Sequence, residues 1–231
     1  MTITAILDFL RVHQWMGKMP EIWTVDPEMP EPETLARALA LLRRGGTVAY
    51  PTETFYGLGA DALNEAAVGK IYAIKGRGFR NPLPVIIGAR EDLAPLVADV
   101  PDVALPLMKD FWPGPLTLVF RAAPCVPPLL TAGTGKIGIR LSSHPVAREL
   151  ARRLGGPLTA TSANLSGRKE AVSAQEVREN LRRLEPDALL DGGPTPGGRG
   201  STVLDVTMDP PVLLREGAVP SDRIFRKDLP R

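Results

Sequence analysis

The side chains best suited to chemistry sit in two short segments far apart in the chain. One reads Lys75-Gly76-Arg77-Gly78-Phe79-Arg80-Asn81-Pro82-Leu83, the other Thr161-Ser162-Ala163-Asn164-Leu165-Ser166-Gly167. The first gathers cations where Gly and Pro forbid a continuing helix. Lysine supplies a compact charge there and arginine a planar fork, the two ways a side chain grips phosphate oxygens. The second sets small hydroxyl and amide groups directly after an apolar strand, where they can hydrogen-bond a ligand without adding charge. Brought together, the segments would hold one phosphorylated ligand, a nucleotide first among them. Taken singly, each has a plainer reading: a solvated Lys-x-Arg loop, and a Ser or Asn turn before a helix.

Other polar groups stand at strand ends. Pro51-Thr52-Glu53-Thr54-Phe55-Tyr56-Gly57 follows a core strand, either as a polar ligand site or as a turn in which Thr52 and Thr54 bond backbone. Arg140 interrupts the apolar run Ile137 to Leu141 and needs a partner, either a carboxylate of the protein or an anionic ligand. Arg215 ends another apolar run beside Glu216, which leaves a surface ion pair open. Gly133-Thr134-Gly135-Lys136 fails as a phosphate loop, because Leu130 replaces the first glycine and Ile137 follows the lysine. With two histidines and one cysteine, a zinc site or Cys/His pair is excluded as the working hypothesis. His144 reads as a turn residue before Pro145. With so few nucleophiles and bases, catalysis would rest on positioning and charge stabilisation.

The elements that must position these groups alternate. Helices are expected from Pro32 to Gly45-Gly46, from the Asn64 cap to Ile74, over Leu93–Ala98 and Val103–Phe111, from Pro145 to Leu154, and from the Ser173 capping box to Leu184. Strands are expected at 22–25, 47–50, 84–87, 116–120, 137–141, 158–160, 188–190, 202–206 and 212–214. This is an α/β chain: one domain with a central, twisted, mixed sheet of seven or more strands, flanked by helices. Gly192 to Gly200, rich in Gly and Pro, is the candidate mobile loop.

At 231 residues and 44% hydrophobic, the chain can bury a full core. Its net charge of +2 demands neither nucleic acid nor membrane as partner. Yet from Glu65 to Glu91 no acidic residue intervenes, while Lys70, Lys75, Arg77, Arg80 and Arg90 do, so a local cationic surface is expected. The lone Cys125 suits a reducing cytoplasm. No apolar run approaches the ~20 residues that span a bilayer. Residues 1–18 lack a secretory leader's marks and read as a dispensable N-terminal extension, with Met19 as natural start and 19–231 as the catalytic domain.

In order along the chain come Pro51-Thr52-Glu53-Thr54 with Tyr56-Gly57-Leu58, Lys75-Gly76-Arg77, Phe111-Trp112-Pro113-Gly114-Pro115-Leu116-Thr117, Ile137-Gly138-Ile139-Arg140, Ser162-Ala163-Asn164 and Ser201-Thr202-Val203. On these the chain resembles the YrdC-like threonylcarbamoyl-AMP synthases, in their short single-domain form, over about residues 22–220. The resemblance implies a twisted α/β domain around a large, positively lined cavity. It implies a nucleotidyltransferase reaction: L-threonine, bicarbonate and ATP, with Mg²⁺, give L-threonylcarbamoyl-adenylate and pyrophosphate. A tRNA threonylcarbamoyl-transferase complex would use that product in the cytoplasm. Longer relatives carry a further C-terminal domain, for which this chain ends too early.

Carried over by position, the resemblance sets Lys75 and Arg77 at the ATP phosphates as catalytic cations. Ser162 and Asn164 fall at the nucleotide, with Ser173 and Arg215 as further ATP contacts. Thr52, Tyr56, Arg140 and Ser201 fall around threonine, Arg140 near its carboxylate. Where some members have histidine after the K-x-R strand, this chain is read as having Ile87. The Gly192 to Gly200 loop would close over reactive intermediates. Lys75→Ala should lower turnover by about two orders of magnitude, with normal melting. The rivals are a double-stranded RNA or tRNA-binding module with steep salt dependence, a carbamoyl-phosphate enzyme, and a paralogue without threonine specificity.

Overall fold

The computed structural model describes residues 19–76, 78–182 and 184–225. The extension expected over 1–18, and Arg77, lie outside the described residues.

Alternating apolar segments and well-signalled helix starts organise the chain. β1 (Glu21–Thr24) leads to α1 (Pro32–Arg43), which opens on Pro32 and buries Leu35, Ala38, Leu39 and Leu42 at helical spacing. β2 (Val48–Tyr50) and β3 (Gly57–Gly59) form an antiparallel pair. The Tyr50 ring lies over both glycines of β3: a Cβ at Gly57 or Gly59 would stand 2.9 or 2.7 Å from ring carbons. α2 (Glu65–Lys75) is capped by the Asn64 side chain and stopped by Gly76 in the left-handed conformation. Then follow β4 (Val85–Ile87), α3 (Ala104–Phe111), β5 (Leu116–Arg121), β6 (Lys136–Leu141), α4 (Pro145–Leu154), β7 (Leu158–Thr159), β8 (Thr161–Ser162), α5 (Ala174–Asn180), β9 (Ala188–Asp191), β10 (Thr202–Asp205), β11 (Val212–Arg215) and α6 (Ser221–Ile224).

The α/β class and mixed pairing stand; the single central sheet does not. The strands divide into a five-stranded sheet, β1-β9-β2-β3-β8, and a six-stranded sheet, β11-β10-β5-β6-β4-β7. Each mixes parallel and antiparallel pairs. The division has a local cause. The segment read as one strand at 158–160 pairs with β4 through Leu158 and Thr159, then with β3 through Thr161 and Ser162. Ala160 is the corner, its N–H donating to Pro84 O at 2.8 Å.

Two helices also differ from expectation. Leu93–Ala98 is no α-helix but part of two 3₁₀ turns, Arg90–Asp92 and Ala94–Leu96, the second containing Pro95. α5 ends at Asn180, short of Leu184, ahead of Pro186, which disfavours helix in the residue before it. Its Ser173 cap accepts from Glu176 N–H as expected, but the Glu176 carboxylate takes the N–H of Val172 rather than that of Ser173.

The apolar side chains form two cores. One lies between α1, α4 and a sheet face made by Val48, Tyr50, Ile86, Leu158, Ala188 and Leu190. The larger gathers α2, α3 and the faces carrying Leu118, Phe120, Ile137, Ile139 and Leu204. The opposite face of that second set is where the polar groups collect.

Candidate functional site

Strand alternation builds the floor of a cavity of about 640 Å³, within the usual range for small-ligand sites. Along β6, Ile137, Ile139 and Leu141 enter the core while Lys136, Gly138 and Arg140 face the cavity. Thr117 and Val119 of β5, and Val203 and Asp205 of β10, share that face. The walls come from the loop after β2, the end of α2, the loop after β8 and the end of β11. Thr52, Tyr56, Lys75, Arg140, Ser162, Asn164, Ser201 and Arg215 thus meet in one space, although they are spread over more than half the chain. Lys75, Lys136, Arg140, Arg168 and Arg215 outnumber Glu170 and Asp205 on its surface, so the lining is net cationic.

Lys75 is 3% exposed and joins the two signature segments directly. Its ammonium donates to Ser162 O at 2.6 Å, Asn164 O at 3.0 Å and Asn164 Oδ1 at 3.0 Å. Its carbonyl accepts from Ser166 N at 3.0 Å. Ser162 Oγ donates to Asn164 Oδ1 at 2.7 Å, and Asn164 Nδ2 donates to Arg168 O. The S-x-N loop is therefore shaped around the lysine, and normal melting of Lys75→Ala is no longer the expectation.

Arg140, 5% exposed, takes a carboxylate of the protein: its Nη1 donates to Glu53 Oε1 at 2.6 Å. The other Glu53 oxygen accepts from Ser142 Oγ. The Arg140 guanidinium has five donors in all, and it lines the cavity with this carboxylate behind it. Nearby His144 caps α4: its Nδ1 accepts from Val146 N at 3.3 Å, and burial lowers its pKa against the opposing charge of Glu53. That is the turn role expected of it.

Thr52 and Tyr56 stand in the wall with their hydroxyls engaged. Thr52 Oγ1 donates to Phe55 O at 2.7 Å and accepts from Thr54 N at 3.2 Å, the turn reading of that segment. Tyr56 Oη donates to Gly193 O at 2.7 Å and accepts from Gly192 N at 3.3 Å. Burial, reinforced by Asp191, pushes its pKa upward, so it stays neutral. Tyr56 thereby anchors the candidate lid, which is also bonded from Thr195 N to Val172 O and from Gly197 N to Thr54 O, each at 2.8 Å. Ser201 Oγ meets Thr117 Oγ1 at 2.9 Å. Arg215 donates to Ser201 O from Nε and Nη2, at 3.0 and 2.7 Å. The alternative Arg215–Glu216 surface pair is not formed; Glu216 accepts from Ser221 instead.

Ser173 is not brought to the cavity; its hydroxyl caps α5. Ile87 is likewise off the site. The β4–β6 register sets it beside Leu141 on the core face, and Ile86 beside Arg140. Four residues were missed by sequence reasoning: Glu53, Ser142, Lys136 and Asp205. Lys136 was legible, because it lies two and four residues from Gly138 and Arg140 on one strand face. The two carboxylates were not, since only the folded arrangement of distant segments shows which cation each one meets.

This chain is similar to proteins of known kind. Residues 40–217 match the Sua5/YciO/YrdC family, described as Telomere recombination. Threonylcarbamoyl-AMP synthase of Bacillus subtilis is 46% identical over 206 residues, 88% of this chain and 57% of that protein. The protein of the same name from Halorhodospira halophila is 40% identical over 166 residues, 72% of this chain and 86% of its own length. Among solved structures, P. abyssi Sua5 complexed with L-threonine superposes with a TM-score of 0.83 at 41% identity, covering 89% of this chain and 61% of that one. The chain thus spans little more than half of some relatives and most of others.

Proposed function

The chain belongs to the Sua5/YciO/YrdC family, and from that premise we propose that it is an L-threonylcarbamoyladenylate synthase. It converts L-threonine, bicarbonate and ATP into threonylcarbamoyl-AMP, pyrophosphate and water. The observation that carries the reading is the convergence of Lys75, the Ser162–Asn164 loop and Arg140 on one cationic cavity. That cavity suits a substrate set in which every member carries negative charge.

In this mechanism the threonine amine adds to bicarbonate and water leaves, giving an N-carboxylate. A carboxylate oxygen then attacks the α-phosphorus of ATP; the bond to the bridging oxygen breaks and pyrophosphate departs. Arg140, held from behind by Glu53, receives the threonine carboxylate. Lys75 and Arg77 offset the charge gathered as one anion approaches another. Lys75 does so by exchanging an Asn164 contact for a phosphate oxygen. Ser162 and Asn164 hold the nucleotide, with Arg215 at the rim. Magnesium enters on the ATP phosphates as part of the substrate. The product passes to a tRNA threonylcarbamoyl-transferase complex in the cytoplasm. No helix of the described residues is long and apolar enough to cross a membrane.

The test is pyrophosphate release from MgATP, with threonine and bicarbonate each omitted in turn and serine as control. Release that needs both supports the synthase. ATP binding without such release would transfer the site to the RNA-binding or paralogue readings.

A further inference from the structure

Two kinds of anion share the cavity in the proposed reaction. The threonine carboxylate carries one charge, and the ATP phosphates carry several. An arginine fork grips both well. The surroundings of Arg140 separate the two.

Thr52 and Thr54 line the cavity, while Glu53 between them does not, and its side chain is 13% exposed. Both of its oxygens are held. Oε1 accepts from Arg140 Nη1 at 2.6 Å, and Oε2 accepts from Ser142 Oγ. Ser142 is fully buried, and its Oγ accepts in turn from His144 N at 3.2 Å, so the amino end of α4 fixes the carboxylate. Arg140 and Glu53 sum to zero charge. Ser142 adds none, and neither does His144 while its Nδ1 accepts from Val146 N. Elsewhere on the lining Lys75, Lys136, Arg168 and Arg215 outnumber Glu170 and Asp205, so that part keeps a positive surplus.

A neutralised arginine discriminates between anions by their charge. Its open edge still offers hydrogen-bond donors, but the pair as a whole exerts little net attraction. The cost of stripping water from an anion grows faster than its charge, whereas its repulsion by Glu53 grows in proportion. A carboxylate can be held by the donors alone. A phosphate dianion meets twice the repulsion and gives up far more hydration.

Resting on the synthase reading, we propose that Glu53 is a specificity-determining residue: by neutralising Arg140 from behind, it makes the amino-acid end of the cavity accept a carboxylate monoanion and refuse phosphate-like dianions. Ser142 and the amino end of α4 position Glu53 for that task.

The test uses inorganic sulfate, a dianion at any working pH. Its competition with L-threonine is read from pyrophosphate release at saturating MgATP, which keeps the phosphate positions of the nucleotide filled. Full-length Glu53→Gln, Glu53→Asp and Ser142→Ala are assayed below their own melting temperatures. Glu53→Gln should lower the inhibition constant for sulfate roughly tenfold or more while KM for threonine rises. A merely loosened site would weaken both ligands, so movement in opposite directions marks the charge effect. Glu53→Asp keeps the charge, and Ser142→Ala loosens the carboxylate without removing it. Both should weaken threonine with no gain for sulfate. The wild-type chain supplies a check that needs no variant, should Glu53→Gln fail to fold: sulfate should compete with threonine at least about tenfold more weakly than threonine binds. Equal competition overturns the proposal. So does an active synthase in which Glu53→Gln leaves the sulfate constant unchanged or raised; either result leaves the synthase reading standing. Pyrophosphate release that never depends on threonine would sink the synthase reading and the role of Glu53 with it.

Discussion

Replacing Lys75 by methionine separates its two roles, because the stem keeps its length while charge and donors go. The ammonium bridges three acceptors of the S-x-N loop. Asn164 Oδ1 keeps its bond from Ser162 Oγ, so two carbonyl oxygens, of Ser162 and Asn164, lose these partners. A buried acceptor left unsatisfied costs about 1–3 kcal/mol. Cavity water can reach this edge, and removing a buried charge gives back part of its desolvation, so a net loss of about 2 kcal/mol is expected. For a chain of this size that lowers Tm by about 4–8 °C. The transition state loses more: a preorganised charge at a developing anion is worth a factor of about 10²–10³ in kcat.

The assay follows Tm by circular dichroism, then pyrophosphate release well below the variant's own Tm, so that unfolding cannot imitate a catalytic defect. An unchanged Tm would refute the claim that Lys75 shapes the S-x-N loop. A lowered Tm with turnover within about threefold of wild type would refute the catalytic role and leave Lys75 as a tether between α2 and that loop.

Glu53→Gln keeps the shape of the side chain but breaks a buried ion pair from one side. A loss of about 3–5 kcal/mol and a Tm lower by about 6 °C or more are expected, with KM for threonine raised because Arg140 is no longer held. Tyr56→Phe removes the hydroxyl that donates to Gly193 O, and should cost about 1 kcal/mol while speeding amide exchange in the Gly192–Gly197 segment; unchanged exchange there would show that the tether does not restrain it. Glu149 is lowered to about 2 by hydrogen bonds from Arg152 and Arg153, against the upward pull of burial. A depressed carboxylate stabilises above its unfolded value and loses that contribution as pH falls toward its folded value. Glu149→Gln should therefore flatten the loss of Tm between pH ~4.5 and ~2, with an effect under about 1 kcal/mol at neutral pH, as for an exposed pair.

How far the site was legible depends on whether a residue's role is local. The α2 cap at Asn64, the Pro145 start of α4 and the His144 turn are settled by neighbours within a few positions, and the structure has them as expected. Lys75 and the S-x-N loop were legible as types, but their direct contact joins positions 75 and 164 and had no local signal. The same limit explains the sheet count. Nothing near Ala160 says that the segment changes partners there, because the partners are Pro84 and β3, each many residues away.

Glu53 makes the point most sharply. Its segment was read from its threonines, whose hydroxyls do the turn work a short loop requires. The acid between them looks like one more polar loop residue until β6 lies beside it and Arg140 needs a counter-charge. An arginine in an apolar strand does announce that need in the sequence. It does not say whether protein or ligand meets it, and here the two answers are compatible. A carboxylate that holds one edge of a guanidinium fixes the direction of the rest, so a protein partner for Arg140 is a reason to expect a ligand on its open side.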